Sequence, residues 1–95
     1  MSNEIITGGF AVSAAGHDSG KYYVIFYMDQ EYVYLVDGKI RTLDRPKKKK
    51  KLHIRMLSEM DRSLAEKIRN QTVKNEEIKR AIKLLQRGKS DKEVE

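Results

Sequence analysis

Between Gly8 and Ile54 short apolar runs alternate with turns marked by Gly, Asp and Pro, and this alternation restricts the chain more than any other feature. Runs of this length with period-two patterning are half-buried strands, and turn chemistry this frequent favours hairpins over helical crossovers. Residues 10–14 put Phe10, Val12 and Ala14 on one face and Ala11 and Ser13 on the other. Residues 15–20 turn the chain, with Gly16 and Gly20 supplying backbone freedom. Residues 21–29 are apolar or aromatic at every interior position, so Tyr22, Val24, Phe26 and Met28 share one face while Tyr23, Ile25 and Tyr27 share the other. A strand apolar on both sides must be covered on both or bend around a barrel. The expectation is a mainly β fold, a small antiparallel barrel.

Residues 32–36 form the next strand, and Asp37-Gly38 is a short-range hairpin signal because type I′ turns need positive φ at both central positions. Residues 39–43 are then the return strand. Asp44-Arg45-Pro46 closes it, since proline removes a ladder donor and pushes Arg45 toward extended backbone.

The strand, the Gly16-x-x-x-Gly20-Lys21 turn, the long apolar strand and the Val36-Asp37-Gly38 hairpin resemble the KOW motif. They are similar in particular to small bacterial relatives of a KOW-containing group of archaeal and eukaryotic large-subunit ribosomal proteins. The resemblance covers residues 8–55 and makes Gly20 the characteristic glycine; the His17-Asp18-Ser19 turn departs from it in being less basic. It implies an SH3-like barrel whose loops and one edge contact RNA, with ribosomal RNA as the partner, followed by a short helical tail.

Charge is concentrated in one place. Residues 1–44 carry 3 basic and 6 acidic side chains, a balance of −3; residues 45–56 carry 7 basic and none acidic; residues 57–95 carry 10 basic and 8 acidic, a balance of +2. The patch consists of Arg45, Lys47, Lys48, Lys49, Lys50, Lys51 and Arg55. If Leu52 and Ile54 point inward on a regular strand, Lys48 and Lys50 share their phase, and burying unpaired ammonium groups costs several kcal/mol each. Residues 47–50 are therefore expected as an exposed loop or protruding edge, with regular pairing from about Lys51 onward.

Ninety-five residues make one domain, and a barrel of about 50 residues buries so little surface that the C-terminal helices are expected to pack on it. The expected division is a barrel over 1–56, a helical extension over 57–88 and a disordered charged tail over 89–95. Ser58 is the candidate cap of the first helix, whose apolar stripe is Met60, Leu64 and Ile68, widened by Leu57 and Ala65; Asn75 is the candidate cap of the second, with Ile78, Ala81, Ile82 and Leu85 inward. Arg87-Gly88 is the expected stop. MSNEIITGGF has no charged n-region with a long apolar core, and no run approaches the roughly 18 apolar residues of a membrane span, so a cytoplasmic protein is expected.

Cysteine is absent, which excludes disulfides and thiolate-bound metal. Neither cofactor nor metal is expected, because His17 and His53 lack further ligands at metal spacing. His17-Asp18-Ser19 has the residue types of a catalytic triad, but adjacent turn residues do not form the required relay, so no enzymatic activity is expected. Gly16-x-x-x-Gly20-Lys21 opens no helix and lacks the Ser or Thr of a nucleotide-binding loop. Its expected use is a tight turn whose free backbone N–H groups meet a phosphate.

The basic patch by itself suits any polyanion, and the KOW resemblance implies an RNA-binding protein of the translation apparatus. Lys47, Lys48, Lys49, Lys50, Lys51, Arg45, Arg55 and Arg41 are expected to neutralise phosphates, and Gly16, His17, Gly20 and Lys21 to fit against structured RNA. All five tyrosines lie between Tyr22 and Tyr34; Tyr23 and Tyr27, on one expected face, are the candidates for stacking on unpaired bases. The rival expectation is a protein-interaction module that docks a ribosomal or other protein through the aromatic strand or the helical tail. Neither a membrane nor a small-molecule substrate is expected as a partner.

Overall fold

The period-two runs become strands where anticipated: β1 is Phe10–Ser13, β2 Tyr22–Met28 and β3 Tyr32–Val36. The structure is a computed structural model that describes residues 5–94, with the side chains of residues 5–88. Two more strands follow, β4 (Lys47–Lys50) and β5 (Ile54–Met56), joined by the 3-10 turn Lys51–His53. All pairs are antiparallel, in the order β4-β3-β2-β1-β5.

The five antiparallel strands agree with the mainly β expectation, and the sheet is open, since no ladder joins β4 to β5. Curling is enforced by connectivity. Four residues of extended chain reach about 14 Å, whereas the edges of a flat five-stranded sheet stand about 19 Å apart.

A β-bulge between Ile25 and Tyr27 divides the two faces. Upstream of it Tyr23 and Ile25 join Ala11, Val33 and Leu35 in a buried cluster flanked by Ile5, Met28, Ile54 and Met56. No helix contributes to this cluster; the sheet buries it by curling around it. Phe10, Val24 and Val36 form the opposite face with Leu64, Ile68, Val73, Ile78, Ala81 and Ile82 from the helical segment. The bulge moves Met28 opposite Val33 and Tyr27 opposite Tyr34. Met28 therefore leaves the face expected for it, and Tyr27 no longer shares one with Tyr23.

Residues 39–43 do not form the expected return strand. Asp37 Oδ1 accepts from the N–H groups of Lys39, Ile40 and Arg41 at 2.9, 3.0 and 2.8 Å, rolling the chain into a compact loop. Gly38 (φ +78°) lies so close to the second helix that a Cβ there would stand 2.3 Å from the Asn75 carbonyl oxygen. Asn75 Oδ1 accepts from Leu43 N–H at 2.8 Å. The partner of β3 is instead the lysine block itself: Leu35, Tyr34, Val33 and Tyr32 pair with Lys47, Lys48, Lys49 and Lys50. Pairing with β3 thus ends at Lys51, and pairing with β1 begins only at Ile54.

Helix α1 spans Arg62–Arg69 and is capped by Asp61, not Ser58: the carboxylate accepts from Leu64 N–H at 3.0 Å. Leu64, Ala65 and Ile68 are its buried residues, while Met60 lies outside the helix and is exposed. Helix α2 spans Asn75–Val94. Glu77 reaches back to Lys74 N–H at 2.9 Å and pairs with Lys67 of α1, the contact that lowers its pKa. The Asn75 side chain, spent on Leu43, is not a cap. Gly88 does not stop α2, whose backbone continues over part of the expected tail to Val94; Glu95 lies outside the described residues. Sheet and helices share one core.

Candidate nucleic-acid interface

Strand alternation sends the lysines of β4 to opposite sides. Lys47 and Lys49 lie on the inner side with Val33 and Leu35, and Lys48 and Lys50 on the outer side with Tyr34 and Tyr32. The phase is the reverse of that expected, because the 3-10 turn interrupts the strand and leaves Leu52 86% exposed.

The inner lysines are held by Asp18. Lys49, only 9% exposed, donates to Asp18 Oδ1 at 2.9 Å and to the Ala15 carbonyl at 2.8 Å. Lys47 Nζ is 3.3 Å from Asp18 Oδ2. Ser13 Oγ and Tyr23 Oη also donate to this carboxylate, at 2.8 and 2.9 Å. Burial by itself raises the pKa of Asp18, but the donors Lys49, Ser13, Tyr23 and Lys47 outweigh it and hold the group well below the usual carboxylate range. Burial and the Asp18 carboxylate push the Tyr23 phenol upward. A cost that seemed to bar lysine from the sheet interior is offset by the half-buried Asp18 carboxylate.

This arrangement changes the roles expected from the sequence. Lys47 and Lys49 clamp the 15–20 turn onto β4; Lys49 is buried and Lys47 half-buried. Tyr23 is 2% exposed and presents no ring face for a base. Three amides of the turn are occupied as well: Gly20 N–H donates to the Ser13 carbonyl, Ser19 N–H to Gly16 and Lys21 N–H to Asp18. Gly16, His17 and Gly20 remain exposed at its tip, and Lys21 Nζ is 4.0 Å from Asp37 Oδ2. Arg41 is half-buried in the Asp37 loop; Arg45 is exposed ahead of β4. Arg55 is exposed on β5, at the far edge of the sheet, and Lys51 is half-buried in the turn between the edges.

The outer side of β2, β3 and β4 carries a surface that the sequence did not single out. Tyr27, Tyr34 and Lys48 form a row across the three strands. The Tyr27 and Tyr34 ring centroids are 5.4 Å apart and tilted by 42°, and Tyr27 is 58% exposed. Lys48 Nζ stands 4.3 Å from the Tyr32 ring centroid, a cation–π contact, and Lys50 is exposed opposite Tyr32. Asp29 orders the edge of this surface. Its carboxylate accepts from Tyr32 and Glu31 N–H at 2.8 and 3.0 Å, the bonds that lower its pKa, and from Tyr34 Oη at 3.3 Å. Tyr32 and Tyr34 were legible as an i, i+2 pair, but their lysine neighbours emerge only once residues 47–50 pair with β3. Flat rings beside cations can stack unpaired bases while ammonium groups meet phosphates.

Compared with protein-family models and with curated proteins, the chain matches none. No helix among the described residues is long and apolar enough to cross a membrane.

Proposed function

We propose that this protein binds RNA, as a cytoplasmic, ribosome-associated component of the translation apparatus resembling the ribosomal KOW proteins. The observation that carries the reading is the Tyr27–Tyr34–Lys48 row, with Tyr32 and Lys50 beside it, on an open face of the sheet. In this reading the curled sheet is an SH3-like barrel, the tyrosines stack on bases of an unpaired segment, and Lys48, Lys50 and Arg45 meet its phosphates. Ribosomal RNA is the partner that the KOW resemblance implies. The role is binding, with no catalytic step.

Docking of another protein through the helical tail has less to draw on. Leu64, Ile68, Ile78 and Ile82 are already buried against the sheet.

The reading is tested by cosedimentation with ribosomes from a gentle lysate at low and high salt, for the wild type and for Lys48→Gln/Lys50→Gln. Salt-sensitive cosedimentation lost in the double variant supports it. A wild type that stays in the soluble fraction at low salt, or a folded double variant that cosediments equally well, overturns it.

A further inference from the structure

The tyrosine row does not end at Tyr27. That side chain also forms one wall of a cleft of about 430 Å³ between β2 and the end of α1, floored by Phe26, Leu43, Ile68 and Val73. The volume lies in the range of small-ligand sites. The rim carries Arg69 and Gln71, no acidic residue lines the cleft, and Arg69 makes no ion pair among the described residues.

Gln71 has an unusual backbone. It is the one non-glycine residue with positive φ (+61°) among the described residues. It occupies the position after the α1 C-cap, with Gln71 N–H donating to the Ile68 carbonyl and Thr72 N–H to Lys67. Glycine is the favoured residue at such a helix end. Glutamine there works against the backbone and places an amide on the rim.

We infer that this cleft receives a single unpaired purine from the strand lying across the tyrosines, a conclusion that rests on the RNA-binding reading above. The apolar floor and Tyr27 take the ring, and the rim supplies its edge contacts. A glutamine amide offers a donor and an acceptor that match adenine N7 and N6, and a guanidinium matches guanine O6 and N7. A pyrimidine lacks N7 and covers less of the floor. Cations stand at both ends of the path, Lys48 and Lys50 at one and Arg69 at the other, as a polyanionic strand requires.

The test is fluorescence anisotropy at about 150 mM salt with labelled hexauridylate and the same hexamer carrying one internal adenine or guanine. The expected result is about tenfold tighter binding of each purine-containing hexamer. Gln71→Gly, which suits the backbone and keeps the fold, is expected to shrink the adenine preference to less than about threefold while leaving hexauridylate binding and its salt dependence unchanged. Equal binding of all three hexamers by the wild type overturns the purine site and leaves RNA binding standing, as does an adenine preference unchanged in Gln71→Gly. Failure to bind any hexamer at low salt overturns the stacking surface on which the inference rests.

Discussion

Lys49 Nζ stands 2.9 Å from Asp18 Oδ1, joining the middle of the lysine block to a turn 31 residues earlier in the chain. The contact closes the inner side of β4 over Ser13 and Tyr23, which donate to the same carboxylate. It also separates the block into lysines that hold the fold and lysines that face solvent.

Removing the carboxylate leaves two inner ammonium groups without their partner. Asp18→Ala is expected to destabilise the protein by about 3 kcal/mol, measured by urea unfolding near neutral pH. Because the folded-state pKa of Asp18 is depressed, its stabilisation is fully present above the ordinary aspartate pKa of about 4. It is lost as pH falls from there toward the folded value. Unfolding at about pH 7 and about pH 3 is expected to show a smaller acid loss in Asp18→Asn than in the wild type.

The two lysine pairs are expected to behave as different kinds of residue. Lys48→Gln/Lys50→Gln should make the log-log salt dependence of RNA binding shallower by about 1.4, at about 0.7 per phosphate contact to a single strand, with thermal stability unchanged. Lys47→Gln/Lys49→Gln should lower the melting temperature. An equal binding loss in both pairs, without destabilisation, contradicts this division.

Tyrosines divide in the same way. Tyr27→Ala is expected to weaken single-stranded RNA binding by about 1–3 kcal/mol with little effect on stability, since its ring is mostly exposed. Tyr23→Phe is expected to leave binding intact and cost about 1 kcal/mol of stability through loss of the hydrogen bond to Asp18. Titrations paired with denaturant unfolding check both.

The loop–helix contact at Gly38 leaves no room for a side chain. Gly38→Ala combines positive φ with a Cβ driven against the Asn75 carbonyl. It is expected to cost about 3 kcal/mol, read by unfolding, and to expose Leu43 N–H, now bonded to Asn75, to faster hydrogen exchange.

Gln71→Gly is expected to do the opposite. Relief of left-handed backbone in a residue with a Cβ should raise stability by about 1 kcal/mol, visible as a higher melting temperature. An unchanged or lower value shows that the glutamine side chain supports the fold.

Where the pattern was local, the sequence was sufficient. Phe10, Tyr22 and Tyr32 begin strands because period-two apolar runs bounded by turns have few other stable forms, and the Leu64/Ile68 and Ile78/Ile82 stripes form helices that bury them. Less of the site was legible. Tyr27 was identified, but Tyr32 and Tyr34 were not distinguished from wall residues, and Tyr23 was grouped with Tyr27 because an unbroken period takes no account of the bulge. The Asp37-Gly38 hairpin was lost to Asp37's own bonds to the next three amides, which compete with strand pairing.

Sequence alone therefore determined the mainly β composition, the first three strands, the apolar faces of both helices and the single concentration of positive charge. Each depends on neighbouring residues or on one repeating period. Only the tertiary structure decided which lysines reach solvent. That outcome depends on β3 selecting residues 47–50 as its partner, on the 3-10 turn ending the strand before Leu52, and on a carboxylate from a distant turn making the buried Lys49 ammonium group, with the half-buried Lys47 beside it, tolerable. Such pairings are long-range, so no local period contains them.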